Sequence, residues 1–263
     1  MDKSWRRCAR SALAHKQLVL PSSGPPGSEE DGFSGYMDVE SDEDMLKVLG
    51  SVAAAVPGMR DLNIPVGKCK FINTECLRVI STSFRFIKKL DLMKSKLITN
   101  WSFLETLVSV EDLQLNSTSI DDSGLASLGR LKNLQNLDLS FNEVITDEGP
   151  SCLSSLTDLR MPWLHGTRVS CAGLKFLKPL VRLEGLDVQR TAITDDGLSI
   201  LAASRPDLKE LYAWDTKIAD DGVAHLLKFT SLENLDVAGT LLQKQVSNNF
   251  GLVFPMRTLT TIS

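Results

Sequence analysis

The sequence predicts an α/β repeat array in which a short strand and a helical stretch alternate along the chain. Three observations carry this. Thr118, Thr167, Thr191, Thr216 and Thr240, with Asn142 filling the one gap, follow one another at intervals of 24 or 25 residues. Gly124, Gly149, Gly173, Gly197 and Gly222 keep the same interval, and two independent markers on one period identify a structural repeat. The apolar residues of each period also fall on a fixed frame, drawn from 41 leucines in 263 residues.

The elements follow from that frame. Each period opens on LxxLxL, as in Leu134-Leu137-Leu139, Leu183-Leu186-Val188 and Leu232-Leu235-Val237. The alternation in LxL predicts a short strand. A further apolar residue follows (Ile120, Ile145, Val169, Ile193, Ile218, Leu242), and then GLxxLxxL, whose spacing of three to four predicts a helical stretch. Thr and Asp just before the glycine, as in Ile193-Thr-Asp-Asp-Gly, suit a helix N-cap, where a side-chain oxygen accepts from a free backbone N–H. Upstream, Met59-Leu62-Ile64, Ile87-Leu90-Leu92 and Val110-Leu113-Leu115 read as further strands, residues 45–57 as an early helix, and Leu18–Leu20 as a first strand. Residues 243–263 lose the frame, although Leu259 and Ile262 suggest one last strand. Around residue 160 two registers compete. Leu159-Pro162-Leu164 is preferred, because it keeps Thr167, Val169 and Gly173 in step, and it predicts a broken ladder where proline lacks a donor.

This frame resembles that of the leucine-rich repeat superfamily, in particular its intracellular variants with a TDxGLxxL segment, and residues 104–242 match most regularly. The resemblance implies a right-handed solenoid of about eight to nine repeats, with a concave parallel sheet and convex helices, each unit stacking on its neighbours. Residues 3–20 (KSWRRCARSALAHKQLVL) resemble, more weakly, the end of an F-box and the strand that opens a leucine-rich array. That resemblance implies an alternative role: the substrate-recognition subunit of a cullin-type ubiquitin ligase, bound to the ligase's adaptor. The resemblance covers only the closing part of an F-box.

Three regions result: a basic head at 1–20, an acidic insert at 21–44 rich in Ser, Gly and Pro, and the repeat domain at 45–263. The head holds five basic groups against one acidic, while residues 21–45 hold eight acidic groups and no basic one. The insert has too little apolar surface to offset the entropy of ordering it and is expected to be a mobile loop. Ser28 and Ser41 precede acidic runs, a context suited to phosphorylation by acid-directed kinases. The net charge of −4 argues against a nucleic-acid partner, and no stretch is apolar enough for a membrane helix. The head lacks the apolar core of a secretory signal, and the five cysteines are odd in number with no CxxC spacing. A cytoplasmic or nuclear location is therefore expected, with the cysteines as small apolar residues, no disulfide framework and no metal. On the same grounds Asn100 and Asn116, each heading a glycosylation sequon, are expected to be coincidental.

Function should reside on the sheet face away from the core, where residues between the leucines project. Its middle column reads Gln114, Asp138, Trp163, Asp187, Tyr212, Asp236, and the next Asn116, Ser140, His165, Gln189, Trp214, Ala238. Two of four tryptophans and one of two tyrosines thus fall within three successive rungs. Trp163 and Tyr212 should stand roughly 10 Å apart with Asp187 between them, His165 and Trp214 should flank Gln189, and Glu210 and Asp215 add negative charge. Aromatic rings beside carboxylates suit a protein contact. The expected partner-binding residues are Trp163, His165, Asp187, Gln189, Glu210, Tyr212, Trp214 and Asp236. No nucleophile elbow, Walker loop, HExxH or kinase signature occurs, so catalysis and cofactors are not expected. The acid pairs Asp195-Asp196 and Asp220-Asp221 are read as helix caps rather than calcium ligands.

Overall fold

The computed structural model describes residues 17–19, 39–55, 58–64, 66–242 and 258–260. The chain forms two compact units, Met1–Thr118 and Ser119–Ser263.

In the first unit the strands β1 (Gln17–Val19), β2 (Asp61–Asn63), β3 (Lys89–Asp91) and β4 (Asp112–Gln114) lie parallel in sequence order. Leu18 pairs with Leu62, Leu62 with Leu90, and Leu90 with Leu113, so the leucine frame sets the register. Three helices, α1 (Asp42–Ala55), α2 (Val66–Cys69) and α3 (Thr74–Ser83), connect the first strands. Met45, Leu49 and Val52 of α1 and Cys76, Leu77 and Ile80 of α3 are buried.

The helix boundary corrects one expectation. Asp42–Asp44, assigned to the acidic insert from composition, form the first turn of α1. Their charges favour a helix N-terminus. Ser41 caps it, its hydroxyl accepting from the Asp44 N–H at 3.1 Å and donating to Asp44 Oδ2 at 2.8 Å. Residues 21–38, with Ser28, lie outside the described residues, as do the F-box-like stretch apart from β1 and most of the tail after Leu242.

In the second unit β5 (Asn136–Asp138), β6 (Met161–Trp163), β7 (Gly185–Asp187), β8 (Glu210–Tyr212), β9 (Asn234–Asp236) and β10 (Thr258–Thr260) are again parallel and in sequence order. Short helical segments lie before and between them: α4 (Asp122–Ala126), α5 (Glu148–Leu153), α6 (Cys171–Leu174), α7 (Asp195–Ser204) and α8 (Val223–Leu226), three of them (α4, α6 and α8) joined to a turn of 3₁₀-helix. The terminal strands at 17–19 and 258–260 bring the described total to ten.

Pro162 occupies the inward position of β6 and pairs with Leu137. The Met161 N–H donates toward β5, to Gln135 O at 3.2 Å. By alternation residue 162 should donate toward β7, and proline cannot. The β6–β7 ladder is accordingly reduced to a single register pair, Trp163 with Asp187, where β7–β8 and β8–β9 have three each.

The two repeat markers have separate physical causes. Each threonine is buried and returns its hydroxyl to the carbonyl three residues back: Thr167 to Leu164 O at 2.7 Å, Thr191 to Val188 O at 2.5 Å, Thr216 to Ala213 O at 2.8 Å, Thr240 to Val237 O at 2.7 Å. Asn142 does the same to Leu139 O at 2.9 Å and also accepts from the Ser119 N–H at 2.6 Å, which explains why it replaces threonine in this column. The glycines mark close packing between neighbouring repeats. A Cβ on Gly197 would lie 2.7 Å from Ile193 Cγ2 and 3.1 Å from Cys171 Sγ, and one on Gly149 would lie 2.9 Å from Leu125 Cδ1.

The acids before the glycines follow the capping expectation only in part. Asp121 caps its own helix, accepting from the Gly124 N–H at 2.9 Å. Two more reach the next repeat: Asp147 accepts from the Ser170 and Gly173 N–H groups at 2.6 and 3.0 Å, and Asp195 from the Ala219 N–H at 2.8 Å. Thr194 occupies the N-cap of α7 without a capping bond from its side chain. These carboxylates therefore join adjacent repeats rather than only ending a helix.

Candidate functional site

The site lies on the open sheet face of the second unit, opposite the buried leucine column. Leu137, Pro162, Leu186, Leu211 and Leu235 point inward and are buried. The residues on either side of them project to the open face, in the register Asp138–Trp163–Asp187–Tyr212–Asp236. Trp163 and Tyr212 thus stand one rung to either side of Asp187, and His165 and Trp214 one rung to either side of Gln189. All eight residues expected from the sequence fall on β6–β9 or within two residues of a strand end.

Asp138, Asp187 and Asp236 share one backbone task. Each Oδ1 accepts from the N–H two residues on: Ser140 at 2.8 Å, Gln189 at 2.9 Å and Ala238 at 3.1 Å. One oxygen of each carboxylate therefore shapes the strand exit. Glu210 accepts from Tyr212 Oη at 3.0 Å and from Asn234 Nδ2 at 3.3 Å. Among the described residues no lysine or arginine forms an ion pair with any of these four acids.

Asp187 is only 7 % exposed. Burial pushes its carboxyl up to about 6, and the charges of Asp138 and Asp236 add to the shift, against the Gln189 hydrogen bond. Its strand has no side chain at Gly185, where the space is filled by Met161: a Cβ there would collide with the Met161 sulfur. The phenol of Tyr212 is also held above its ordinary range, by burial first and then by its hydrogen bond and charge contact with Glu210 and by the neighbouring acids.

Past the strand ends runs a line of rings that the sequence reading only half contained. Phe141 lies 4.5 Å from the His165 ring, and His165 lies 6.5 Å from Trp214 at 60°. His165 and Trp214 therefore lean together across the Gln189 rung. Arg190 places its guanidinium 5.7 Å from the Trp214 ring centroid and its Nε 3.5 Å from Asp215 Oδ2. Burial, and then the charge of Arg190, hold the His165 imidazole below its ordinary range, and its buried Nε2 has no hydrogen-bond partner.

Phe141, Arg190 and Met161 were missed. The first two occupy a position that recurs in each repeat with positive φ: Phe141 (59°), Gly166 (66°), Arg190 (51°), Asp215 (54°) and Gly239 (65°). The two glycines also make room for rings. A Cβ on Gly166 would lie 3.3 Å from Phe141, and one on Gly239 3.2 Å from Trp214 Nε1. Their separation by three periods was the available signal.

Among the described residues no cluster of three or more His, Cys, Asp or Glu side chains is placed to hold a metal ion. No helix among them is long and apolar enough to cross a membrane. Cys76, Cys152 and Cys171 are free thiols, and burial pushes the Cys69 thiol up to about 12.

Comparison with known proteins agrees with this architecture. A family model described as "Leucine Rich repeat" matches residues 130–154, the segment containing β5. An internalin C2 from Listeria monocytogenes has a similar structure at 18 % identity, with a TM-score of 0.59 over 99 % of this chain and 93 % of that one. An internalin, inlF, from the same organism is similar at 15 % identity, with a TM-score of 0.54 over 100 % of this chain and 90 % of that one. No curated protein matches the chain. The chain has the fold of these solved structures, an α/β leucine-rich repeat solenoid.

Proposed function

We propose that this protein is a non-enzymatic interaction scaffold that binds a protein partner through the open sheet face of its second unit. The observation that supports this is the set of part-exposed rings, Trp163, His165, Tyr212 and Trp214, interleaved with acids that form no ion pair with a lysine or arginine among the described residues. Rings on a rigid sheet bury large area at small entropic cost, and the acids between them select the partner by charge. Gln189, Glu210 and Asp236 complete the surface around Asp187. A solenoid suits the role, because its strands repeat a flat platform whose outward residues do not contribute to the core. We place the protein in the cytoplasm or nucleus, where its four described thiols stay reduced.

The test is affinity capture from cell extract with the wild-type chain and with Trp163→Ala/Trp214→Ala, both shown by circular dichroism and thermal melting to keep the fold. The proposal expects proteins held by the wild type to be lost from the variant. The same set retained on both would reject it.

A further inference from the structure

The charge balance of the open face points to the chemistry of its occupant. Over β5–β9 the outward positions in and just after each strand hold Asp138, Asp187, Glu210 and Asp236, with no lysine or arginine. The basic residues nearest the face lie at the strand ends: Arg160 and Lys209, before β6 and β8, both pair with Glu184, the lysine at 3.1 Å, and Arg190, three residues past β7, pairs with Asp215. The acids of the middle column repel one another across the rungs, and Asp187 pays the largest desolvation. A cation seated there would relieve both effects.

The molecule already contains a small version of such a contact. Arg190 stacks over Trp214 and reaches Asp215, combining a ring face with a carboxylate. A planar guanidinium can do both at once, which an ammonium does less well. We propose that Asp187, flanked by Trp163 and Tyr212, seats an arginine side chain from a basic segment of the protein partner. This rests on the interaction reading above and specifies its chemistry. Asp138 and Asp236 lie one rung beyond each ring, so a segment crossing the strands meets acid and ring alternately.

The test uses the full chain and N-acetyl-arginine amide as probe, followed through the indole N–H signals in two-dimensional NMR. The Trp163 signal is assigned from its loss in Trp163→Phe. The proposal expects a saturable shift of that signal, absent with the neutral isostere N-acetyl-citrulline amide, and weaker by about fivefold or more in Asp187→Asn. A shift of equal size with citrulline, or an unchanged response in Asp187→Asn, overturns it. Equal or tighter binding of N-acetyl-lysine amide overturns the arginine assignment. If the probe fails while the double tryptophan variant still loses its captured proteins, the arginine seat falls and the interaction reading stands. If the probe binds while that variant captures the same proteins, the assignment of the seat to a protein partner falls.

Discussion

Replacing Asp187 by asparagine removes a charge while keeping the side-chain oxygen that accepts from the Gln189 N–H at 2.9 Å. The magnitude follows from burial. The carboxyl rises from an ordinary value of 3.8 to about 6, roughly two units at about 1.4 kcal/mol each, so ionisation costs the folded state about 3 kcal/mol at neutral pH. The sign follows from proton binding. Between these two values the folded chain holds more protons at this site than the unfolded chain. The site's contribution to stability is therefore fully present below about pH 4 and is lost as pH rises through about 6. The Asp187→Asn chain is expected to be more stable than wild type by up to about 3 kcal/mol at pH 7, with the difference shrinking toward zero near pH 4. Urea unfolding of both chains across this range, followed by tryptophan fluorescence, measures the difference. A variant less stable than wild type at pH 7, or a gap that does not change with pH, would show that burial does not raise the Asp187 carboxyl. The expected gain also means that the native aspartate is held at a cost to stability, as is common for binding residues.

Two further outcomes test the architecture. Thr191→Val keeps the volume but leaves the buried Val188 carbonyl without its hydroxyl partner, and should cost about 1–3 kcal/mol in chemical denaturation. Gly197→Ala brings a methyl to 2.7 Å from Ile193 Cγ2 in the packed wall between repeats. Overpacking of about 1–3 kcal/mol should outweigh the gain of up to about 1 kcal/mol in helix propensity, lowering the melting temperature.

The fold was legible because its core is periodic. A leucine that must face inward every 24 or 25 residues leaves a mark that survives wide variation on the surface, and the threonine and glycine columns record two further contacts that each repeat must make. Pro162 was legible for the same reason: the frame demanded an inward residue there, and proline's missing donor predicted the broken ladder. The open face was legible only by position. Alternation placed Trp163, Asp187 and Tyr212 on neighbouring rungs, but the lean of His165 toward Trp214, at 6.5 Å instead of roughly two rung spacings, depends on rotamers that no spacing encodes. Phe141 and Arg190 were missed because their shared left-handed backbone position is taken by glycine in only two of five repeats. The acids at the helix starts were ambiguous, since an aspartate there can reach its own helix, as Asp121 does, or the next, as Asp147 does.

The proposed binding surface is the open sheet face of the second unit, not its helical side. Binding of the captured partner should be compared for the wild type, for Trp163→Ala/Trp214→Ala on the open sheet face, and for Phe176→Ala/Val181→Ala, whose side chains are 40 % and 64 % exposed outside the strands. Loss of binding in the first variant and full binding in the second is the expected result. Full binding in the first and loss in the second would contradict it.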